Sequence, residues 1–176
     1  MTKLPAQVGS ILVCDGISDP GNLGTLIRTA WGLEFDACVT IASTDPFSPK
    51  CIRSSMGTSL HLPIMEIADW GEIDEEISKQ KLQIYLSVLD DQAIPYYDAN
   101  LSKPCVIVVG SESTGISKET SAYAQSTNGM KIFIPMGRNL EMSLNAAVAG
   151  GIIMGECKRQ QNFNMGKKAP LMSLGL

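Results

Sequence analysis

The sequence predicts an α/β fold, a mostly parallel sheet with helices on both faces. Two observations predict it. Short β-rich runs alternate with helix-like stretches over about 8–159, the pattern that lays helices across a sheet. The β-rich runs are nearly continuous in apolar residues, as strands buried on both faces are. Ligands of such sheets sit at the carboxyl ends of the strands, so function is to be read from the residues that follow each strand.

The first strand is VGSILVC (8–14). After it, Asp19-Pro20-Gly21 forms a turn and Asn22 is a suitable N-cap for a helix over 21–33. DACVTIA (36–42) is the second strand, followed by a helix over 48–57; HLPIMEI (61–67) is the third, followed by a helix over 71–80. LQIYLSVL (82–89) and PCVIVVG (104–110) come next, the latter leading into a helix over 117–125. MKIFIPM (130–136) is ended by Pro135, and Ser143 and Asn145 open a last helix over 143–159. A segment rich in Asn, Met, Gly and Lys, 161–176, reads as a loosely ordered tail behind a single domain of 1–160.

Composition excludes several classes. A chain of 176 residues that is 44% apolar can bury one good core. Its five cysteines show no C-x-x-C pairing, and with a single histidine they fit neither a disulfide framework nor a zinc site. An intracellular, reducing compartment is expected, with no metal. The longest small-apolar run, 146–155, is too short to span a bilayer, so no membrane partner is expected. A net charge of −4 is unusual for a free-standing nucleic-acid binder, although a local patch can bind where the total does not suggest it.

The stretch VIVVGSESTGISKE (106–119) runs from strand to helix with the Gly110-to-Gly115 spacing of a phosphate-binding loop. Ile116 stands where the phosphate-binding lysine belongs, and Glu112 puts a carboxylate among the phosphate oxygens. The loop is therefore binding architecture for something other than ATP. No G-x-G-x-x-G follows the first strand, which argues against a Rossmann cofactor site.

In NLGTLIRTAWGLEF the apolar residues go nearly all round the helix, so Arg28 is expected to face a cleft or a partner, with Gly24 leaving room beside its guanidinium. The plainer reading is a capped helix with a solvated arginine. The last helix is stripped of bulk by Ala146, Ala147, Ala149, Gly150, Gly151 and Gly155, at a cost in helix propensity. A second helix, a crossing chain segment or a ligand would each explain that.

Together, DPGNLGTLIRTA, VVGSESTGIS and IPMGRNLEMSLNAAVA resemble, in order and with compatible spacing, the three motifs of the SpoU (TrmH-like) branch of the SPOUT RNA methyltransferases. SPKCIRSSMGTSLHLPI (48–64) is also similar to a family segment, and the resemblance covers about 10–157. It implies a deep C-terminal trefoil knot, a rare exception to the rules of chain topology, and S-adenosylmethionine (AdoMet) as the ligand of the loop. It implies methyl transfer to a ribose 2′-hydroxyl of tRNA or rRNA by a homodimer whose RNA cleft lies at the subunit boundary.

By the same resemblance, Gly110, Ile134, Leu144, Val88 and Met136 would hold the cofactor. Arg28 would clamp an RNA phosphate and stabilise the developing alkoxide, since a guanidinium hardly ever gives up its proton. Asn22 would orient the nucleotide or Arg28, Glu112 would fix the polar network, and Ser143 with Asn145 would shape the pocket floor. Lys50, Arg53 and Arg138 would join Arg28 in a phosphate track, while the acidic stretch 66–91 stays away from RNA. Two other readings fit less of the sequence. One is a non-catalytic RNA-binding or assembly factor, whose mark would be loss of Arg28 or Asn22; the other is a flavodoxin-like module.

Overall fold

The computed structural model describes residues 3–137 and 143–164. Among the described residues, twelve strands and α-helices follow one another: β1 (Ser10–Asp15), α1 (Pro20–Gly32), β2 (Ala37–Ile41), α2 (Pro49–Ser54), β3 (Ile64–Ile67), α3 (Asp74–Gln80), β4 (Gln83–Ser87), β5 (Ile94–Pro95), β6 (Cys105–Gly110), α4 (Lys118–Ser126), β7 (Met130–Phe133) and α5 (Ala146–Asn164). The strands form one seven-stranded sheet in the order β3-β2-β1-β6-β4-β7-β5, and every pairing in it is parallel.

Side-chain alternation explains why the strands read as unbroken apolar runs. Leu12 and Cys14 of β1 and Cys105, Ile107 and Val109 of β6 pack with α1 and α5 through Leu23, Leu26, Ile27, Ile153 and Met154. Ile11, Val13, Val106 and Val108 point the other way, into a second core closed by Trp70, Ile73, Ile77 and Ala124. Each face of these central strands thus removes apolar surface from water, worth about 1.5–3 kcal/mol per large side chain.

The helix ends differ in detail from expectation. Asp19, not Asn22, caps α1: its carboxylate accepts from Asn22 N at 3.0 Å, and Pro20 takes the first turn, where a missing N–H costs nothing. Asn145 caps α5 by accepting from Ala147 N at 3.0 Å, so Ser143 stands before the cap. The helix expected over 48–57 stops at Ser54, and residues 58–60 form a 3-10 turn. β5 went unpredicted because it is a two-residue edge strand containing Pro95, too short for any periodicity. α5 continues to Asn164, past the domain boundary drawn at 160, and Gln161 is bonded within the body to Ser10 Oγ and Gly9 O. Residues 165–176 of the expected tail lie outside the described residues.

Two glycines sit where helices approach closely. A Cβ on Gly24 would lie 2.0 Å from Ser54 Oγ and 2.7 Å from the Cys51 carbonyl, so Gly24 lets α2 cross α1 and makes no room for Arg28. A Cβ on Gly150 would lie 2.4 Å from Leu26 Cδ2. The partner that approaches α5 at Gly150 is therefore a second helix, α1.

Candidate active site

The strand order reverses around β1 and β6, and the carboxyl ends of β4, β6 and β7 open beside that point. They frame a cavity of about 370 Å³. Its walls include Ser87 and Val88 from β4 and beyond, Val109 and Gly110 from β6, Ile134 and Met136 after β7, and Leu144, Ala146 and Ala149 at the start of α5. All five residues expected to hold a cofactor, Val88, Gly110, Ile134, Met136 and Leu144, line it, as do Glu112 and Ser143.

The loop after β6 doubles back on itself. Gly115 N donates to the Ser111 carbonyl at 2.9 Å, and Gly115 takes a φ of 67° that suits glycine. The fold leaves no space at Gly110, where a Cβ would come within 2.4 Å of the Gly115 carbonyl carbon. The far end of the loop is fastened by Asp15, buried at the end of β1, whose carboxylate accepts from Ser117 N at 2.7 Å. Ser117 in turn caps α4 by accepting from Thr120 N at 3.1 Å.

Glu112 is the meeting point of the three segments. Its Oε1 accepts from Asn22 Nδ2 at 2.5 Å, from Asn145 Nδ2 at 3.0 Å and from Ala146 N at 3.0 Å. Asn145 Nδ2 also donates to Asn22 Oδ1 at 3.0 Å. A carboxylate here satisfies a free N–H of the first turn of α5 and faces the positive end of its dipole. Asn22, Glu112, Asn145 and Ser143 are thus gathered at one edge of the cavity.

Arg28 is not gathered with them. It is exposed on α1 and, among the described residues, has no hydrogen-bond or ion-pair partner. Asn22 therefore orients Glu112 and Asn145, not Arg28. Lys50 bonds Asp19 at 3.1 Å, which holds the Asp19 carboxyl below its ordinary range, helped by the Asn22 N–H. Arg53 is exposed on α2, and Arg138 lies outside the described residues.

Sequence reasoning missed a charged pair in the cavity wall, Asp90 and Lys131, 2.6 Å apart. Hydrogen bonds from Lys131 and from Gln92 N lower the Asp90 pKa. The available signal was a lysine inside MKIFIP, an otherwise apolar strand.

A parallel α/β domain with a largely apolar and backbone-walled cavity at its strand ends, and no lysine in the loop, is a binder of a small organic molecule and not a phosphate-loop nucleotidase. The model of the SpoU rRNA Methylase family matches residues 9–155, and the chain belongs to that family. It is 33% identical over 150 residues to the 23S rRNA (guanosine(2553)-2′-O)-methyltransferase RlmP of Bacillus subtilis, covering 85% of this chain and 58% of that protein. It is 28% identical over 214 residues to the mitochondrial rRNA methyltransferase 3 of Xenopus tropicalis, covering 90% of this chain and 50% of that protein. The chain thus spans about half the length of these relatives. Among solved structures it is similar to the SpoU methyltransferase AviRb of Streptomyces viridochromogenes in complex with the cofactor AdoMet. That match has a TM-score of 0.79 and 25% identity, covering 90% of this chain and 63% of that one.

Proposed function

We propose that this chain is the catalytic domain of an AdoMet-dependent methyltransferase acting on a ribose 2′-hydroxyl of tRNA or rRNA. The observation that carries the reading is the convergence of Asn22, Glu112 and Asn145, from three distant segments, at the edge of one cavity. The names of RlmP and of the AdoMet-bound AviRb support it from outside.

The residues present fit the cofactor. A volume of about 370 Å³ lies in the range of small-ligand sites, the walls at Val88, Ile134 and Leu144 suit a flat heteroaromatic ring, and Gly110 offers bare backbone. With Asp90 paired to Lys131, the Glu112 carboxylate leaves the wall with a negative charge, which suits a ligand of net positive charge. AdoMet would supply an electrophilic methyl group on its sulfonium. Ser143 and Asn145 would shape the floor on which the ribose rests, Asn22 would steer the nucleotide, and Arg28 would clamp its phosphate and stabilise charge developing on the 2′-oxygen. Lys50 and Arg53 would extend the phosphate track, with Lys50 exchanging Asp19 for RNA.

Arg28 is exposed and does not line the cavity of its own chain, and this favours a homodimer in which α1 of one copy serves the cavity of the other. Exposed Val148 and Ile152 on α5 supply the apolar surface for such pairing. The knot belongs to the same proposal, its support being α5 held against the loop of β6 through Glu112. The test is incubation with radiolabelled AdoMet and tRNA or rRNA, followed by nuclease digestion and mass spectrometry. Label in a 2′-O-methyl nucleoside is expected. Label on a base would overturn the ribose assignment, and tight AdoMet and RNA binding without transfer would favour the non-catalytic factor.

A further inference from the structure

The two tryptophans are used in opposite ways. Trp70 is buried, stacked on Tyr123 with centroids 4.5 Å apart, and its Nε1–H donates to Thr120 Oγ1 at 2.9 Å. Trp31, in the last turn of α1, stays 45% exposed. Its indole N–H has no partner among the described residues, and its ring lies 5.9 Å from that of the exposed His61, tilted by 34°. Leu60 beside it is 63% exposed. A half-exposed tryptophan offers a large flat ring and a donor facing water, the pairing of apolar body and polar tip that suits a binding surface.

Its surroundings combine arginines with one exposed carboxylate, Glu34, at the end of the helix. On a helix advancing about 100° per residue, Trp31 lies about 60° from Arg28 on one side, and Thr29 about 100° from it on the other. Thr29 faces α5, its Cγ2 being 3.9 Å from where a Cβ of Gly151 would stand. Trp31 faces the 58–61 turn, so Arg28 stands between the α5 side and an aromatic side. Arg53 is exposed on the neighbouring helix α2. The acidic residues Glu72, Asp74, Glu75 and Glu76 belong to the segment that closes the opposite core. A half-exposed indole about one helical turn from an exposed arginine is the combination that holds an unpaired nucleobase beside its phosphate.

We infer that Trp31, backed by His61, is a stacking platform for an unpaired base of the RNA, next to the phosphate that Arg28 holds. This rests on the proposed function and deepens it: the substrate is an RNA whose modified nucleotide neighbours an unpaired base. Trp31 is then a specificity residue that acts in binding, while the cofactor cavity is untouched.

Tryptophan emission reads this directly, because Trp70 is buried and Trp31→Phe isolates its signal. With the full chain, a stem-loop RNA with an unpaired purine loop is expected to quench the Trp31 component and protect it from iodide, while a duplex of equal length does neither. Trp31→Ala is expected to raise the KM for such an RNA about ten-fold, with kcat and AdoMet affinity unchanged, and Trp31→Phe to restore most of the loss. RNA retained on a filter with unaltered Trp31 emission and an unaltered Trp31→Ala KM overturns this inference and leaves the methyltransferase reading standing. Protection of Trp31 from iodide that grows with protein concentration without RNA also overturns it, by assigning the ring to a protein interface. Failure of the wild-type chain to bind any RNA overturns both.

Discussion

Asn22 and Glu112 lie 90 positions apart in the chain and meet through one hydrogen bond, Asn22 Nδ2–H donating to Glu112 Oε1. The same oxygen accepts from Asn145 and from the first N–H of α5, so a single carboxylate ties helix α1, the loop of β6 and helix α5 together. Glu112→Ala leaves three donors to water and removes a negative charge from a helix N-terminus. It should cost about 1–2 kcal/mol, a fall in Tm of roughly 2–8 °C for a chain of this size. Glu112→Gln keeps an acceptor and loses only the charge, so thermal denaturation should show a fall of less than half as much. An equal fall in both would mean that the charge, not the geometry, is what matters.

Gly110→Ala tests the loop. Its Cβ would meet the backbone of Gly115 and Ile116, which cannot rotate away as a side chain would. Overpacking of this kind costs about 1–3 kcal/mol, and the loop would have to open to relieve it. Calorimetry should show AdoMet affinity reduced at least ten-fold in a chain that remains folded by circular dichroism. Unchanged affinity would separate the loop from the cofactor.

Arg28→Ala should abolish methyl transfer while AdoMet affinity stays within a few-fold, because Arg28 is outside the cavity of its own chain. Arg28→Lys keeps a charge but not the planar fork and should recover only a small part of the rate. An active Arg28→Ala enzyme would remove Arg28 from the mechanism.

Asp90 and Lys131 set a pH dependence. The ionised Asp90 is favoured in the folded chain, so its folded pKa lies below the ordinary carboxylate value of about 3.9. The stability it contributes is fully present above that value and is lost as pH falls through the folded one. Wild type should therefore lose more Tm than Asp90→Asn on going from about pH 5 to pH 2. Parallel acid profiles for the two proteins would show that the pair adds nothing.

How much of this was legible beforehand follows from range. Strand positions rest on local apolar runs, and six strands were found within a few residues; β5 was not, because two residues at an edge carry no period. The cavity residues came from the family resemblance of three motifs, and those motifs sit at strand ends, where the topology gathers them. What escaped was set by contacts distant in sequence. Gly24 serves α2 instead of Arg28, Asp15 fastens a loop 102 positions away, and Asp90 finds Lys131 across the β4–β7 boundary. No local pattern names both members of such a pair, although the lysine inside MKIFIP marks one of them. The caps were misassigned for a smaller reason, since Asp19 and Asn22 are both good capping residues and only the turn at Pro20 decides between them.

The last prediction concerns assembly. On α5, Ile153, Met154 and Cys157 face the core, while Val148 and Ile152, one turn apart, are 50% and 37% exposed. Arg28 and Thr25 stand exposed on α1, which packs beside α5. A two-fold axis through this surface would cover the apolar pair with its own copy and bring each Arg28 toward a cavity that its own chain does not present to it. The full chain should therefore sediment as a dimer at micromolar concentration. Val148→Asp combined with Ile152→Asp places charges at exposed positions that the monomer tolerates, so the variant should fold, sediment as a monomer and retain AdoMet affinity, yet lose methyl transfer. Arg28→Ala mixed with the cavity-blocked variant Leu144→Arg should regain part of the activity, because a mixed dimer holds one intact cavity facing one intact arginine. No recovery in that mixture, or a wild-type monomer that methylates RNA, would place each Arg28 at its own cavity and remove the need for the dimer.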